Sequence, residues 1–194
     1  WDCKKMIKEQ HKDFLCRYGS ANHLDKMIDR DSFFNTIKKN PMLQPHHINK
    51  IISNRAMNQS FVADLMEHPN SDKSNVDHII SQSKKNDSCL GKLGSDTRIK
   101  IRAALDHPTS TEEHWHDVID HAHSDLITNI VERSRKNIPD SIYARLSDHP
   151  DDDIRASLAT SYKSPDHILK KLSSDENPAV ASYARSNYKE RHCL

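Results

Sequence analysis

Glycine is scarce in this chain, with 3 among 194 residues. That scarcity excludes the glycine-rich loops that cradle phosphates. Aromatic residues are 6% and apolar residues of all kinds 35%, a low share for one thick globular core. No apolar run approaches the roughly 20 residues of a membrane span, so no membrane partner is expected. The N-terminus lacks the apolar stretch of a signal peptide. Cysteine is sparse as well: Cys3, Cys16, Cys89 and Cys193 are scattered, with no C-x-x-C pair. Such spacing reads as free thiols in a reducing, cytoplasmic setting rather than a disulfide frame or zinc site. An excess of either charge is also missing. The 29 basic residues nearly cancel the 28 acidic ones, for a net charge of +1, so bulk charge gives no argument for a polyanionic partner. Trp1 stands where an unprocessed chain has Met, which implies processing or a longer parent.

What the chain has is repetition. A turn residue is followed three and seven places on by apolar residues in Pro45/Ile48/Ile52, Lys73/Val76/Ile80, Asn86/Cys89/Leu93, Glu112/Trp115/Ile119, Pro139/Ile142/Leu146 and Pro165/Ile168/Leu172. Successive last members lie 28, 13, 26, 27 and 26 residues apart. Between them run apolar pairs four residues apart: Phe33/Ile37, Phe61/Leu65, Ile101/Leu105, Leu126/Ile130, Ile154/Leu158 and Val180/Ala184. Residues four apart share a helix face, so each pair marks the buried stripe of a short helix A and each triplet a helix B. Pro45, Pro139 and Pro165 fit the first turn of helix B, where the missing N–H costs nothing. Glu112 and Glu113 place negative charge at the favourable end of theirs. Helices of about 8 to 11 residues do not hold alone, so one repeat by itself is expected to be unfolded.

A fixed period of this size marks a solenoid. The expected fold is all-α: a right-handed α-solenoid of about five to six helix-pair repeats over residues 33–194, behind an N-terminal helical cap over 1–32. The cap reads as two helices. The first has Met6, Phe14 and Leu15 on or near one face and stops near Gly19; the second covers roughly 21–30. Two B-like signatures only 13 residues apart predict an extra helix within 66–93 and a phase break near Ser81–Asn86.

These residues resemble the leucine-rich-repeat-variant family and short HEAT-like repeats, whose pattern is roughly V-R-x-x-V/L-A-x-N-P-x-T-P-x-x-L-L-x-x-L-A-x-D. Ile154-Arg155-Ala156-Ser157-Leu158-Ala159 matches its opening, followed by Ser164-Pro165 and Leu172-Ser173-Ser174-Asp175. Ile101-Arg102-Ala103-Ala104-Leu105 and Asn40-Pro41 match other pieces. The resemblance covers about residues 33–190 and implies fold more than function. Val180-Ala181 and Leu126-Ile127 lack the opening Arg. Some family members hold an iron–sulfur cluster in an N-terminal cysteine cluster; Cys3 and Cys16 have no companions to make one, and no cofactor is expected.

Two constellations could carry chemistry. Nine residues past the first helix A anchor stand Arg135, Lys163 and Lys189, and one residue past it stand Arg102 and Arg155. Stacked repeats would align them as a basic ridge able to track a phosphate backbone. The same residues also suit helix C-termini and loop carbonyls inside a solenoid. In the first three repeats the ridge position holds Met42, Asn70 and Ser110. The second constellation is His114-Trp115-His116-Asp117-Val118-Ile119-Asp120-His121-Ala122-His123. Trp115, Val118, Ile119 and Ala122 share the buried face, Asp117 and His121 pair on another, and His116, Asp120 and His123 at i, i+4 and i+7 are candidate metal ligands. His116-Asp117 also resembles the His-Asp doublet of all-helical metal-dependent phosphohydrolases. A solvated helix face with i,i+4 pairs accounts for the same residues. His68, His107 and His149 each precede a proline and read as helix-end residues.

No nucleophile motif is present, so no catalytic residue is assigned. The expected function is non-enzymatic: a scaffold offering a helical-repeat surface to a protein partner. Nucleic-acid binding along the basic ridge is the first alternative, and a metal-dependent hydrolase at His116/Asp117 the second. With 14 histidines, packing or binding is expected to weaken below about pH 6.

Overall fold

The computed structural model describes residues 11, 14–28, 34–53, 59–85, 95–134 and 138–192. All regular secondary structure among them is helical. After a helical stretch over 14–18 come α1 (Ala21–Met27), α2 (Phe34–Ile37), α3 (Pro45–Ile52), α4 (Gln59–Met66), α5 (Lys73–Lys85), α6 (Ser95–Asp106), α7 (Glu112–His121), α8 (Ser124–Arg133), α9 (Asp140–Ser147), α10 (Asp152–Thr160), α11 (Asp166–Leu172) and α12 (Pro178–His192). Among the described residues, α3, α5, α7, α9 and α11 carry triplets and α4, α6, α8, α10 and α12 carry apolar pairs; α2 holds Ile37, while Phe33 lies outside the described residues.

The chain divides into two compact units: residues 1–85 with 95–110, and residues 86–94 with 111–194. In unit 1, α4 packs on α6, α3 on α5, and α5 on α6. In unit 2, α10 packs on both α8 and α12, α9 packs on α11, α10 also touches α9 and α11, and α12 touches α11. Helices of one class thus neighbour each other within each unit. The anchors form the core: Ile48, Ile52, Val76 and Ile80 in unit 1, and Trp115, Ile119, Ile142, Leu146, Ile154, Leu158, Ile168 and Leu172 in unit 2, are all buried. Each such aliphatic side chain contributes roughly 1.5–3 kcal/mol on burial, which is what short helices lack by themselves.

Four local expectations need adjustment. Pro139 and Pro165 are the N-caps of α9 and α11 rather than first-turn residues; their carbonyls take the opening hydrogen bonds, from Tyr143 N at 3.1 Å and Leu169 N at 3.1 Å. Only Pro45 sits in the first turn, of α3. The helix α5 runs unbroken through Ser81 to Lys85, and the triplet Asn86/Cys89/Leu93 lies outside the described residues. In the helical stretch over 14–18 the buried side chain is Cys16, whereas Phe14 is exposed and rests against Tyr18 at 5.2 Å between ring centroids. Sequence spacing favours a large aromatic as anchor; the chain instead turns the Cys16 thiol inward, toward Met27 Sδ at 3.8 Å. The Cys16 carbonyl accepts from Asn40 Nδ2 at 3.0 Å.

Gly19 ends the first helical stretch, with its N–H on the Leu15 carbonyl at 2.7 Å. A Cβ there would stand 2.3 Å from that same carbonyl oxygen, a backbone atom that cannot swing aside. Gly19→Ala is therefore expected to destabilise unit 1 by about 1–3 kcal/mol, read from the urea midpoint. A neutral or stabilising result would mean that the turn after residue 18 relaxes freely.

Candidate functional site

Polar residues at equivalent places along the helices bond the turns and link helices within each unit. At the A-to-B turns of unit 1, Asn40, His68 and His107 each precede a proline and each accept the N–H two residues on: Met42 N to Asn40 Oδ1 at 2.8 Å, Asn70 N to His68 Nδ1 at 3.1 Å, and Thr109 N to His107 Nδ1 at 3.2 Å. The other polar atom reaches back. Asn40 Nδ2 donates to the carbonyls of Cys16 and Gly19, both at 3.0 Å, and His68 Nε2 to that of Asn40 at 3.2 Å. Asn70 Nδ2 adds bonds to the Pro41 and Leu43 carbonyls at 2.9 and 2.8 Å.

The third residue of the B helices plays a similar part in both units: His47, Asn75 and His114 accept the N–H of the residue preceding their helix. The distances are 3.0 Å from Gln44 N, 3.0 Å from Asp72 N and 2.9 Å from Thr111 N. His47 Nε2 then reaches Asp25 Oδ1 on α1 at 2.9 Å, and Asn75 Nδ2 reaches the Pro45 carbonyl and Asn49 Oδ1 on α3 at 2.9 and 2.7 Å. Amide and imidazole are interchangeable here because each offers one acceptor and one donor at opposite ends of a short planar group.

The candidate cations separate on inspection. Arg155 is buried in unit 2 and all its N–H groups are spent. Nε and Nη2 clasp Asp175 at 2.9 and 3.0 Å, Nη1 donates to the carbonyls of His149 and Pro150 at 2.8 and 3.2 Å, and Nη2 also reaches Glu176 at 3.3 Å. The hydrogen-bonded guanidinium holds the Asp175 carboxyl below its usual range against the opposing effect of burial. Lys163 directs its ammonium to the Ser134 carbonyl and lies 5.7 Å from the Tyr162 ring centroid. Arg102 is half-buried in α6 of unit 1, and Lys189 is exposed on α12 of unit 2. Arg135 lies outside the described residues. Unit 2, which contains the Arg135/Lys163/Lys189 column, holds 12 Lys and Arg against 16 Asp and Glu, a net charge of −4. That balance works against a polyphosphate partner.

The His116, Asp120 and His123 set does not converge. The helix α7 stops at His121, and His123 has extended backbone as the N-cap of α8, its Nδ1 accepting from Asp125 N at 3.4 Å. The i+7 register of a continuous helix is therefore lost. Arg145 from α9 lies between the other two, bonded to Asp120 and 3.4 Å from His116 Nδ1. Its guanidinium is the chief cause of the lowered Asp120 pKa, and it occupies the place a cation would take. His121 Nδ1 bonds the Asp117 backbone carbonyl at 2.9 Å.

Asp25, His46 and His47 do bring three ligand-type atoms within 4.8 Å of one another. The chemistry of His47 opposes a metal there. Its Nδ1 lone pair takes the Gln44 N–H, so the neutral ring carries its proton on Nε2, the atom a metal would need. Metal-binding imidazoles have the reverse arrangement, with the distal nitrogen donating. The cluster is a hydrogen-bonded brace between α1 and α3. The same occupied Nδ1 disqualifies His47 as a general base.

A cavity of about 370 Å³ opens between the turns after α9 and α11, lined by Asp148, Arg155, Lys171, Asp175 and Glu176 among others. Its cations are already committed, Lys171 to Asp148 at 2.5 Å and to Ser147 Oγ at 2.9 Å. Among the described residues, the exposed large apolar side chains are Phe14, Tyr18 and Met42 in unit 1 and Tyr162 and Tyr183 in unit 2. The sequence pattern placed Phe14 on the cap's buried face and gave Tyr18, Tyr162 and Tyr183 no role; the available signal was a tyrosine off the anchor register. Comparison with family models, curated proteins and solved structures finds no match for this chain.

Proposed function

We propose that the chain is a non-enzymatic scaffold whose helix pairs stack in solenoid fashion within each unit and present an extended surface to a protein partner. The observation that carries this reading is the constant reach of the polar links. In unit 1, Lys38 meets Asp64 26 residues on, Asn75 meets the Pro45 carbonyl 30 residues back, and Gln82 meets Ser53 29 back. In unit 2, Ser124 meets Asp151 27 on, Lys163 meets Ser134 29 back, and Asn187 meets the Ala159 carbonyl 28 back. Links of one period between helices of like class are what stacked repeats require. The leucine-rich-repeat-variant resemblance of residues 33–190 supports the same reading.

A surface of this type takes macromolecules in preference to small ligands. Tyr162 and Tyr183, about 77% and 49% exposed, are of the residue type that anchors protein interfaces. The decisive experiment is affinity capture with the intact chain, compared with Tyr162→Ala and Tyr183→Ala. The expected outcome is a protein retained by the parent and weakened about tenfold or more by at least one substitution, as for an interface hot spot. Capture that ignores both substitutions removes this surface. Binding to mixed-sequence DNA or RNA that falls steeply with salt would replace the reading with the phosphate-backbone alternative.

A further inference from the structure

We propose that His47 and His68 are acid-release pins of unit 1: neutral imidazoles that fasten one helix pair to the preceding one and let go on protonation. Each ring spends Nδ1 as an acceptor of a backbone N–H, from Gln44 at 3.0 Å and Asn70 at 3.1 Å. Each therefore carries its single proton on Nε2, which donates across the repeat to Asp25 at 2.9 Å or to the Asn40 carbonyl at 3.2 Å. Imidazolium has no acceptor left. A proton added at Nδ1 points at an N–H already aimed there, so the turn must open or the ring must leave.

The surroundings decide which way each ring leans. His47 faces the Asp25 carboxylate from α1, and has His46 and Lys50 beside it on α3. Burial opposes the charged ring most strongly, with His46 and Lys50 adding to it; Asp25 favours the charged ring, and the balance falls below the ordinary value of 6.5. His68 faces the Asn40 carbonyl from the turn before α3. Burial again outweighs that bond and lowers its pKa from 6.5. For both rings the neutral form belongs to the fold. Their stabilising contribution is complete above about pH 6.5 and is lost as pH falls from there toward the lowered folded values.

The chain supplies its own control. Asn40 fills the position of His68 and Asn75 that of His47, each with the same local bond and a backward reach. An amide does this without titrating. The test is therefore the His47→Asn/His68→Asn double variant of the full chain, melted at pH 7.5 and 5.5. The parent is expected to lose about 5 °C or more over that interval, and the double variant at most half as much. An undiminished loss in the double variant overturns the proposal. Nitrogen-15 spectra of the histidine rings at pH 7.5 provide the second readout, and suffice if the double variant fails to fold. Protonated Nε2 and bare Nδ1 in both rings support the pins; an Nδ1–H tautomer in either overturns them.

Discussion

Arg155→Met is expected to destabilise unit 2 by about 3 kcal/mol, because it breaks a buried ion pair on one side only. Arg155 and Asp175 side chains are 7% and 6% exposed, and the guanidinium also satisfies the carbonyls of His149 and Pro150. Methionine fills similar volume, so the loss reflects the stranded carboxylate and two unpaired carbonyls more than a cavity. Asp175→Asn should cost less, since the amide still accepts one bond. The acid behaviour has a definite sign: Asp175 has a lowered folded pKa, so its contribution is present above about pH 4 and is lost as pH falls through the folded value. Urea midpoints for the two variants at neutral pH check this. A loss below about 1 kcal/mol for Arg155→Met would mean that water takes over both carbonyls.

Trp115→Ala is expected to cost about 3–5 kcal/mol. Trp115 is 1% exposed on α7, with Val118 and Ile119 on the same buried face. A short helix has little intrinsic stability, so removing its largest anchor takes away much of what keeps α7 in place. Trp115→Phe keeps the ring volume in part and should lose less than half as much. Far-UV circular dichroism during urea titration is the measurement. An unchanged midpoint for Trp115→Ala would show that the indole is not part of the core.

The helices and their buried faces were legible because burial selects residues at helical spacing. Ile142, Leu146, Ile168 and Leu172 stand where the three-and-seven spacing puts them, and all are buried. The helical class followed from that spacing alone. Polar roles were less legible, for physical reasons. Arg155 occupies a recurring position, but recurrence does not distinguish a cation facing solvent from one folded inward onto carbonyls and Asp175. His123 counts as i+7 from His116 only while the helix continues, and the stop after His121 depends on how α8 begins. The equivalence of Asn40 with His68 and of His47 with Asn75 is invisible to residue type, since amide and imidazole share hydrogen-bond geometry rather than composition. Phe14 shows the limit on apolar pattern: the small Cys16 is buried and the large ring is left outside.

The carbonyls grasped by Asn70, Lys163 and Asn187 lie 26 to 29 residues upstream of the grasping side chain. Closing each link therefore encloses nearly the same length of chain and carries nearly the same entropic cost. A residue inserted between Pro41 and Asn70 would lengthen one such loop by one and draw the Asn70 amide away from its acceptor.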